Sequence, residues 1–218
     1  MARLLISTTN RGKLLEIQDL LPGFELAIPS ELGIALEVEE TGQTYAENAA
    51  LKAEAFCRLS GLVALADDSG LEVDCLDGQP GLHSARYSPH PHASDADRRA
   101  LLLRNLASYP RPWLAHFHCT VAVAVPASPG TGAAPTAHGV HGEHDTPVTL
   151  YFFDGDCPGE IIPTERGSNG FGYDPIFLLH DLDRTMAELT RAQKNQLSHR
   201  ARAVKAALPL LSRLLDKN

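Results

Sequence analysis

An α/β domain with a mixed central β-sheet flanked by helices is the fold class that this 218-residue chain predicts. Three observations carry the prediction. Short apolar runs of strand length alternate with segments of helical period, and capping signals stand at the start of several of those segments. The length suits one domain spanning 1–218, because chains usually split only above about 250–300 residues. A hydrophobic share of 44% and a charged share of 21% are those of a globular chain, which excludes general disorder.

Residues Arg3 to Ser7 read as a short buried strand, followed by a polar turn and a helix with Leu14, Ile17 and Leu21 on one face. Thr44 and Glu47 have capping-box spacing for a second helix, Ala46, Ala49, Ala50, Ala53 and Phe56 give it a small-residue face, and Gly61 is placed to end it. Leu62 to Ala66 predicts a buried strand that ends at Asp67 and Asp68. A third helix starts near Ser94 and carries Leu101, Leu102, Leu103 and Leu106. Phe117 to Val125 and Val148 to Phe153 predict two more strands. Between them, 126–147 is rich in Pro, Gly, Ala, Ser, Thr and His and reads as an exposed hairpin loop. The last third holds the Gly-rich stretch Gly167 to Gly172 and a strand at Ile176 to Leu179. A capping box at Thr185 and Glu188 then introduces helical sequence that Pro209 interrupts.

The formal net charge is −8, which argues against a general nucleic-acid binder. From Arg184 to Asn218 the tail alone carries +6, leaving −14 on the rest. Such a split suits a phosphate-rich ligand held together with a cation. Apolar runs such as Leu114 to Pro126 fall short of the roughly 18 residues of a membrane span. Leu4 to Ile6 is too short for a secretory signal, so a soluble cytoplasmic protein is expected. Cys57, Cys75, Cys119 and Cys157 form no metal-binding spacing and read as reduced thiols.

Five segments could carry chemistry. Ser7 to Lys13 joins a strand to a helix start, where free N–H groups, hydroxyls and cations make a phosphate cradle; an ordinary capped turn uses the same residues. It is not a Walker A loop, because the upstream glycine spacing is missing and Leu14 follows the lysine. Asp67 and Asp68 follow an apolar strand, where paired carboxylates call for solvation, hydrogen bonds or a hard cation such as Mg²⁺, or form an Asx turn. Glu37, Glu39 and Glu40 are a solvated face or the completion of that metal site. Gly167 to Pro175 lets backbone approach a ligand and offers Phe171 or Tyr173 to a nucleobase; a tight turn is the alternative. Lys194 and Ser198-His199-Arg200 are donors toward carbonyl or phosphate, or a solvated helix face. His138, His141 and His144 have a three-residue spacing, but in a Gly-rich loop they read as a flexible tract.

Taken together, these stretches resemble the inosine triphosphate pyrophosphatase family. The matching motifs are Ser7-Thr8-Thr9-Asn10-Arg11-Gly12-Lys13, Glu40-Thr41-Gly42 with Glu47-Asn48-Ala49 and Lys52-Ala53, and Ala66-Asp67-Asp68-Ser69-Gly70-Leu71. They continue with Pro80-Gly81 and Ser84-Ala85-Arg86-Tyr87, Gly170-Phe171-Gly172-Tyr173-Asp174-Pro175, and Ser198-His199-Arg200. Two local departures are Ser88-Pro89-His90 after the Tyr and Asn169 where a glycine is frequent.

The resemblance implies two lobes around a nucleotide-binding cleft and Mg²⁺-dependent hydrolysis of ITP, dITP and XTP to the monophosphate and pyrophosphate. It also implies a homodimer. By the same likeness Thr8, Thr9, Asn10, Arg11, Gly12 and Lys13 hold the triphosphate. Glu39 and Asp68 bind Mg²⁺, Asp68 accepts the proton of the attacking water, and Ser69 contacts substrate. Phe171, Gly172, Tyr173 and Asp174 shape the nucleoside pocket, completed by Lys194, His199 and Arg200. Alternatives are a house-cleaning pyrophosphatase for other modified nucleotides or a silent nucleotide-binding regulator.

Overall fold

The structure, a computed structural model, describes residues 3–127 and 147–215. Its centre is a seven-stranded mixed sheet built from β1 (Leu4–Ile6), β2 (Leu26–Ala27), β3 (Val63–Val73), β4 (Trp113–Pro126), β5 (Val148–Ile161), β6 (Phe177–Leu179) and β7 (Arg184–Thr185). The strand order is β2-β1-β3-β4-β5-β6-β7. β1 pairs parallel with β2 and β3, and every later pairing is antiparallel. Five helices accompany it: α1 (Arg11–Leu20), α2 (Tyr45–Ser60), α3 (Asp95–Leu106), α4 (Arg191–Leu197) and α5 (His199–Leu215). The predicted α/β class with a mixed sheet is therefore the observed one.

Strand alternation sorts the core into two faces. Leu4, Ile6, Leu65, Val121 and Val123 pack with Ile17 of α1 and with Val204, Ala207 and Leu211 of α5. Leu5, Ala64, Ala66, Ala122 and Ala124 turn the other way and meet Ala49, Ala53 and Phe56 of α2. Alanine on both partners lets α2 lie close to the sheet. A third cluster gathers Leu71, Val73, Trp113, Phe117 and Ile161 from the far ends of the long strands with Leu102 and Leu106 of α3. β3 and β4 thus run continuously from the first two clusters into the third.

The starts of α2 and α3 are as the sequence signals them. Thr44 accepts from the Glu47 N–H at 3.1 Å, and Gly61 ends α2 at φ 68, the left-handed region that favours glycine. Glu47 reaches back to the N–H of Gln43 rather than to that of Thr44. Ser94 and Asp97 form a reciprocal capping box at α3.

Several strand and helix boundaries differ from expectation. β3 does not stop at Asp67 and Asp68 but continues to Val73, because each carboxylate finds cationic or amide partners on its own face of the sheet. β4 begins at Trp113, and β5 runs on through Gly155, Pro158 and Gly159 to Ile161. Gly155 is required there by packing rather than by a turn: a Cβ would come within 2.3 Å of the His199 carbonyl oxygen on α5. Ile176 belongs to a 3₁₀ turn, and β6 starts one residue later. The box at Thr185 and Glu188 caps only a 3₁₀ turn, Met186–Glu188; α4 has its own box at Thr190 and Gln193, and Pro209 lies inside α5 without ending it. Most of the proposed 126–147 loop, with His138, His141 and His144, lies outside the described residues.

Candidate active site

A cleft of about 880 Å³ opens where β3 and β4 pass between the hydrophobic clusters. Its first wall is the turn after β1. Thr8 Oγ1 accepts from the Asn10 N–H at 3.2 Å, and the Asn10 side chain caps α1 by accepting from the Lys13 N–H at 3.1 Å. Thr8, Thr9, Asn10 and Lys13 line the cleft. The Arg11 side chain is exposed and outside the lining, which leaves its helix-start N–H as its contribution. Gly12 serves by close approach: a Cβ there would lie 2.7 Å from the Phe171 ring, which comes from the Gly-rich stretch of the last third.

Asp67 and Asp68, adjacent in β3, face opposite sides of the sheet. Asp67 points toward α1 and α5, where its Oδ2 meets Lys13 Nζ at 3.1 Å and Arg200 Nε at 3.0 Å. Burial opposes its ionisation, but Lys13 and Arg200 outweigh burial and hold its carboxyl well below the usual range. Asp68 points toward α2, with Oδ2 accepting from Asn48 Nδ2 at 3.0 Å and Oδ1 from the Ser69 N–H at 2.9 Å. Burial, helped by nearby Glu40, raises its pKa despite Lys52 and Lys13. One acid is therefore locked as an anion, and its neighbour has the greater affinity for a proton.

Asn48 and Lys52 on α2 tie the acidic segment to Asp68. The Asn48 side-chain oxygen accepts from the Gly42 N–H at 2.8 Å while its amide donates to Asp68. Lys52 Nζ reaches Glu40 at 2.7 Å and the Asp67 carbonyl at 2.8 Å, and Arg86 holds the other Glu40 oxygen at 3.0 Å. Glu39 is exposed and lines the same cleft as Asp68.

The basic tail folds back as a buried network. Lys194 Nζ lies 2.5 Å from Asp174 and 2.9 Å from Glu16, and Arg200 pairs with Glu16, Asp67 and the Ser69 hydroxyl. Burial works against every charge in it. Asp174 and Glu16 outweigh burial at Lys194 and keep it protonated. Glu16, with two cations, is held below the usual carboxylate range, whereas Asp174 shares one cation and burial pushes it above. Carboxylates of the body neutralise much of the charge of these tail cations, because unpaired ions at this depth would be costly. Burial also pushes the His199 pKa well down, so its ring is neutral; it stacks on Phe117 at 4.7 Å between centroids.

Phe171, Gly172, Tyr173 and Asp174 complete the wall. Gly172 is held at both backbone polar atoms by α3: its N–H donates to Asp95 at 2.7 Å, and Arg99 donates to its carbonyl at 2.8 Å. Glu165 fixes Arg99 through two contacts of 2.7 and 3.0 Å. Lys194 lies 4.9 Å from the centre of the Phe171 ring. Of the residues to which the resemblance gives a role, all but Arg11 and Gly12 line this one cleft. Glu16, Asp95 and Arg99 had not been singled out as site residues; the signal for Glu16 was its place beside Ile17 and three positions after Lys13 on the inward side of α1.

The donors suit a hard cation. Asp68, Glu37, Glu39 and Glu40 offer only oxygen to the cleft, and a carboxylate whose proton affinity is raised by burial and a neighbouring acid would be relieved by a cation. Among the described residues no three His, Cys, Asp or Glu side chains are gathered as a ready-made ligand set. Mg²⁺ needs no such set, since it takes one or two protein carboxylates and completes its shell with phosphate oxygens and water.

The profile of the Ham1 family matches residues 4–210. The chain belongs to the Ham1 family. Among its relatives, the dITP/XTP pyrophosphatase of Listeria monocytogenes is 39% identical over 223 residues, covering 100% of this chain and 98% of the relative. The dITP/XTP pyrophosphatase of Geobacter sulfurreducens is 44% identical over 207 residues, covering 94% of each. The solved Ham1 proteins of Staphylococcus aureus and Coxiella burnetii each superpose with a TM-score of 0.79 at 35% identity. The first alignment covers 97% of this chain and 99% of the other, and the second 98% and 100%.

Proposed function

We propose that the chain hydrolyses the α–β phosphoanhydride bond of deaminated purine nucleoside triphosphates (ITP, dITP and XTP), releasing the monophosphate and pyrophosphate and so cleansing the nucleotide pool. The observation that carries this reading is the convergence in one cleft of the α1 helix start, the proton-avid Asp68 and the Phe171 loop. That the relatives over the whole length are dITP/XTP pyrophosphatases supports it.

Thr8 to Lys13 cradle the phosphates with helix-start N–H groups, hydroxyls and the Lys13 ammonium. Asp68 orients water against the α-phosphorus and accepts its proton as pyrophosphate leaves. Burial suits it to that task, and Asn48 fixes its rotamer. Glu39 and Asp68 would hold Mg²⁺, which neutralises phosphate charge when bound. Ser69 contacts substrate with a hydroxyl held by Arg200 at 2.9 Å.

Phe171 and Tyr173 shape the nucleoside pocket, with Asp174 and Lys194 behind them. His199 and Arg200 line the cleft at the start of α5, where first-turn N–H groups are free donors. These pair with a 6-keto oxygen and would face a donor in adenine, a mismatch of about 1–3 kcal/mol per buried group. We read the chain as one domain, 1–218, with lobes on either side of the cleft, acting as a cytoplasmic homodimer. Among the described residues no helix is long and apolar enough to cross a membrane.

Incubation with a panel of nucleoside triphosphates and Mg²⁺ tests the substrate class. ITP, dITP and XTP are expected to turn over at least about tenfold faster than ATP and GTP at subsaturating concentration. Equal rates for all five would refute it.

A further inference from the structure

Ser7 directly follows β1, its N–H donates to the Leu65 carbonyl at 2.7 Å, and the residue is 1% exposed. Its hydroxyl is buried and has no hydrogen-bond partner among the described residues, yet the residue lines the cleft. Other serine hydroxyls of this fold are used internally: Ser84 donates to the Gly81 carbonyl and Ser60 to the Phe56 carbonyl, each at 2.7 Å. An unpaired buried hydroxyl costs free energy, so one retained in a cleft wall calls for a ligand atom.

The surroundings say which kind. Alternation along β1 gives Ser7 the face of Leu5, the same face on which Asp68 meets Asn48 and Lys52. The next residue, Thr8, opens the turn to α1 and Lys13. Ser7 therefore joins the anion-binding turn to the face that carries Asp68. No described acceptor takes the Ser7 hydroxyl proton, which leaves it for an acceptor that enters the cleft.

We propose that Ser7 is a further substrate contact, whose hydroxyl donates a hydrogen bond to a phosphate oxygen of the bound triphosphate. The inference rests on reading the cleft as a nucleoside triphosphate site. It extends the phosphate cradle one residue upstream and across to the α2 side of the sheet.

The test compares wild type, Ser7→Ala and Ser7→Cys by calorimetry with inorganic tripolyphosphate and Mg²⁺, by KM for ITP, and by thermal unfolding. A hydrogen bond to a charged oxygen predicts roughly tenfold weaker tripolyphosphate binding and a similar rise in KM in both variants. Tm of Ser7→Ala should stay level or rise, because no internal bond is lost. Unchanged tripolyphosphate affinity in the two variants would overturn the proposal, as would a wild type that does not bind tripolyphosphate. Wild type that binds tripolyphosphate but does not turn over ITP would sink the functional reading while calorimetry still judges Ser7.

Discussion

Asp67 and Asp68 are neighbours in sequence and opposites in environment. β-strand alternation sends the first to the Lys13–Arg200 side and the second to the Asn48–Lys52 side. Asp68→Asn should therefore keep nucleotide binding and lower kcat by about 10²–10⁴-fold, measured by steady-state kinetics beside equilibrium binding. Equal turnover in variant and wild type would remove Asp68 from the mechanism. Asp67 leads to a stability prediction instead. Its folded pKa lies below the unfolded value, so its contribution is fully present above the unfolded pKa of about 4 and is lost as pH falls toward the folded one; Glu16 has the same sign. Thermal unfolding should show Tm falling from about pH 5 downward. A Tm independent of pH between 5 and 3 would contradict the assignment. The sequence marked the pair as candidate cation ligands, and the resemblance gave a role to Asp68 alone. Their division of labour was not legible, because it depends on the strand running past them, and a pair of acids reads in sequence as the place where a strand stops.

At the scale of elements, the legible features were those with local physics: the Thr44 cap and Gly61 end of α2, the Ser94 cap of α3, and the apolar runs of β1, β4 and β5. What failed was the end of β5, expected at Phe153, since the strand runs on through Gly155, Pro158 and Gly159 to Ile161. The reason is tertiary, since α5 presses its backbone onto β5 at Gly155. Gly155→Ala should destabilise the fold by about 1–3 kcal/mol in chemical denaturation, and a neutral effect would mean that the α5 backbone yields there. α3 contributes a long-range constraint that no local pattern encodes, since Asp95 and Arg99 grip Gly172 from 77 and 73 positions away. Asp95→Ala should raise KM for ITP about tenfold through a displaced Phe171 loop, with a smaller change in kcat. A KM equal to that of wild type would show that the loop holds its place without α3.

Across the whole molecule, the charge division of the sequence becomes a buried network. Glu16, Asp67 and Asp174 balance Lys13, Lys194 and Arg200, and the Arg200–Glu16 contact spans 184 positions. The network ties α1, β3, the Phe171 loop, α4 and α5 around the cleft. Glu16→Ala would leave buried Lys194 with Asp174 alone and Arg200 with Asp67 alone, and should cost about 3–5 kcal/mol in denaturant unfolding; a loss below about 1 kcal/mol would mean that water replaces the carboxylate without penalty. The +6 tail was visible in composition, but its destination was not, because pairing of ions distant in sequence is settled only by the fold. The central claim is that this cleft cleaves between the α- and β-phosphates in a single step. Product analysis with ITP and Mg²⁺ tests it most directly: IMP and pyrophosphate should appear in equal amounts from the first turnovers, whereas IDP with orthophosphate would contradict the account.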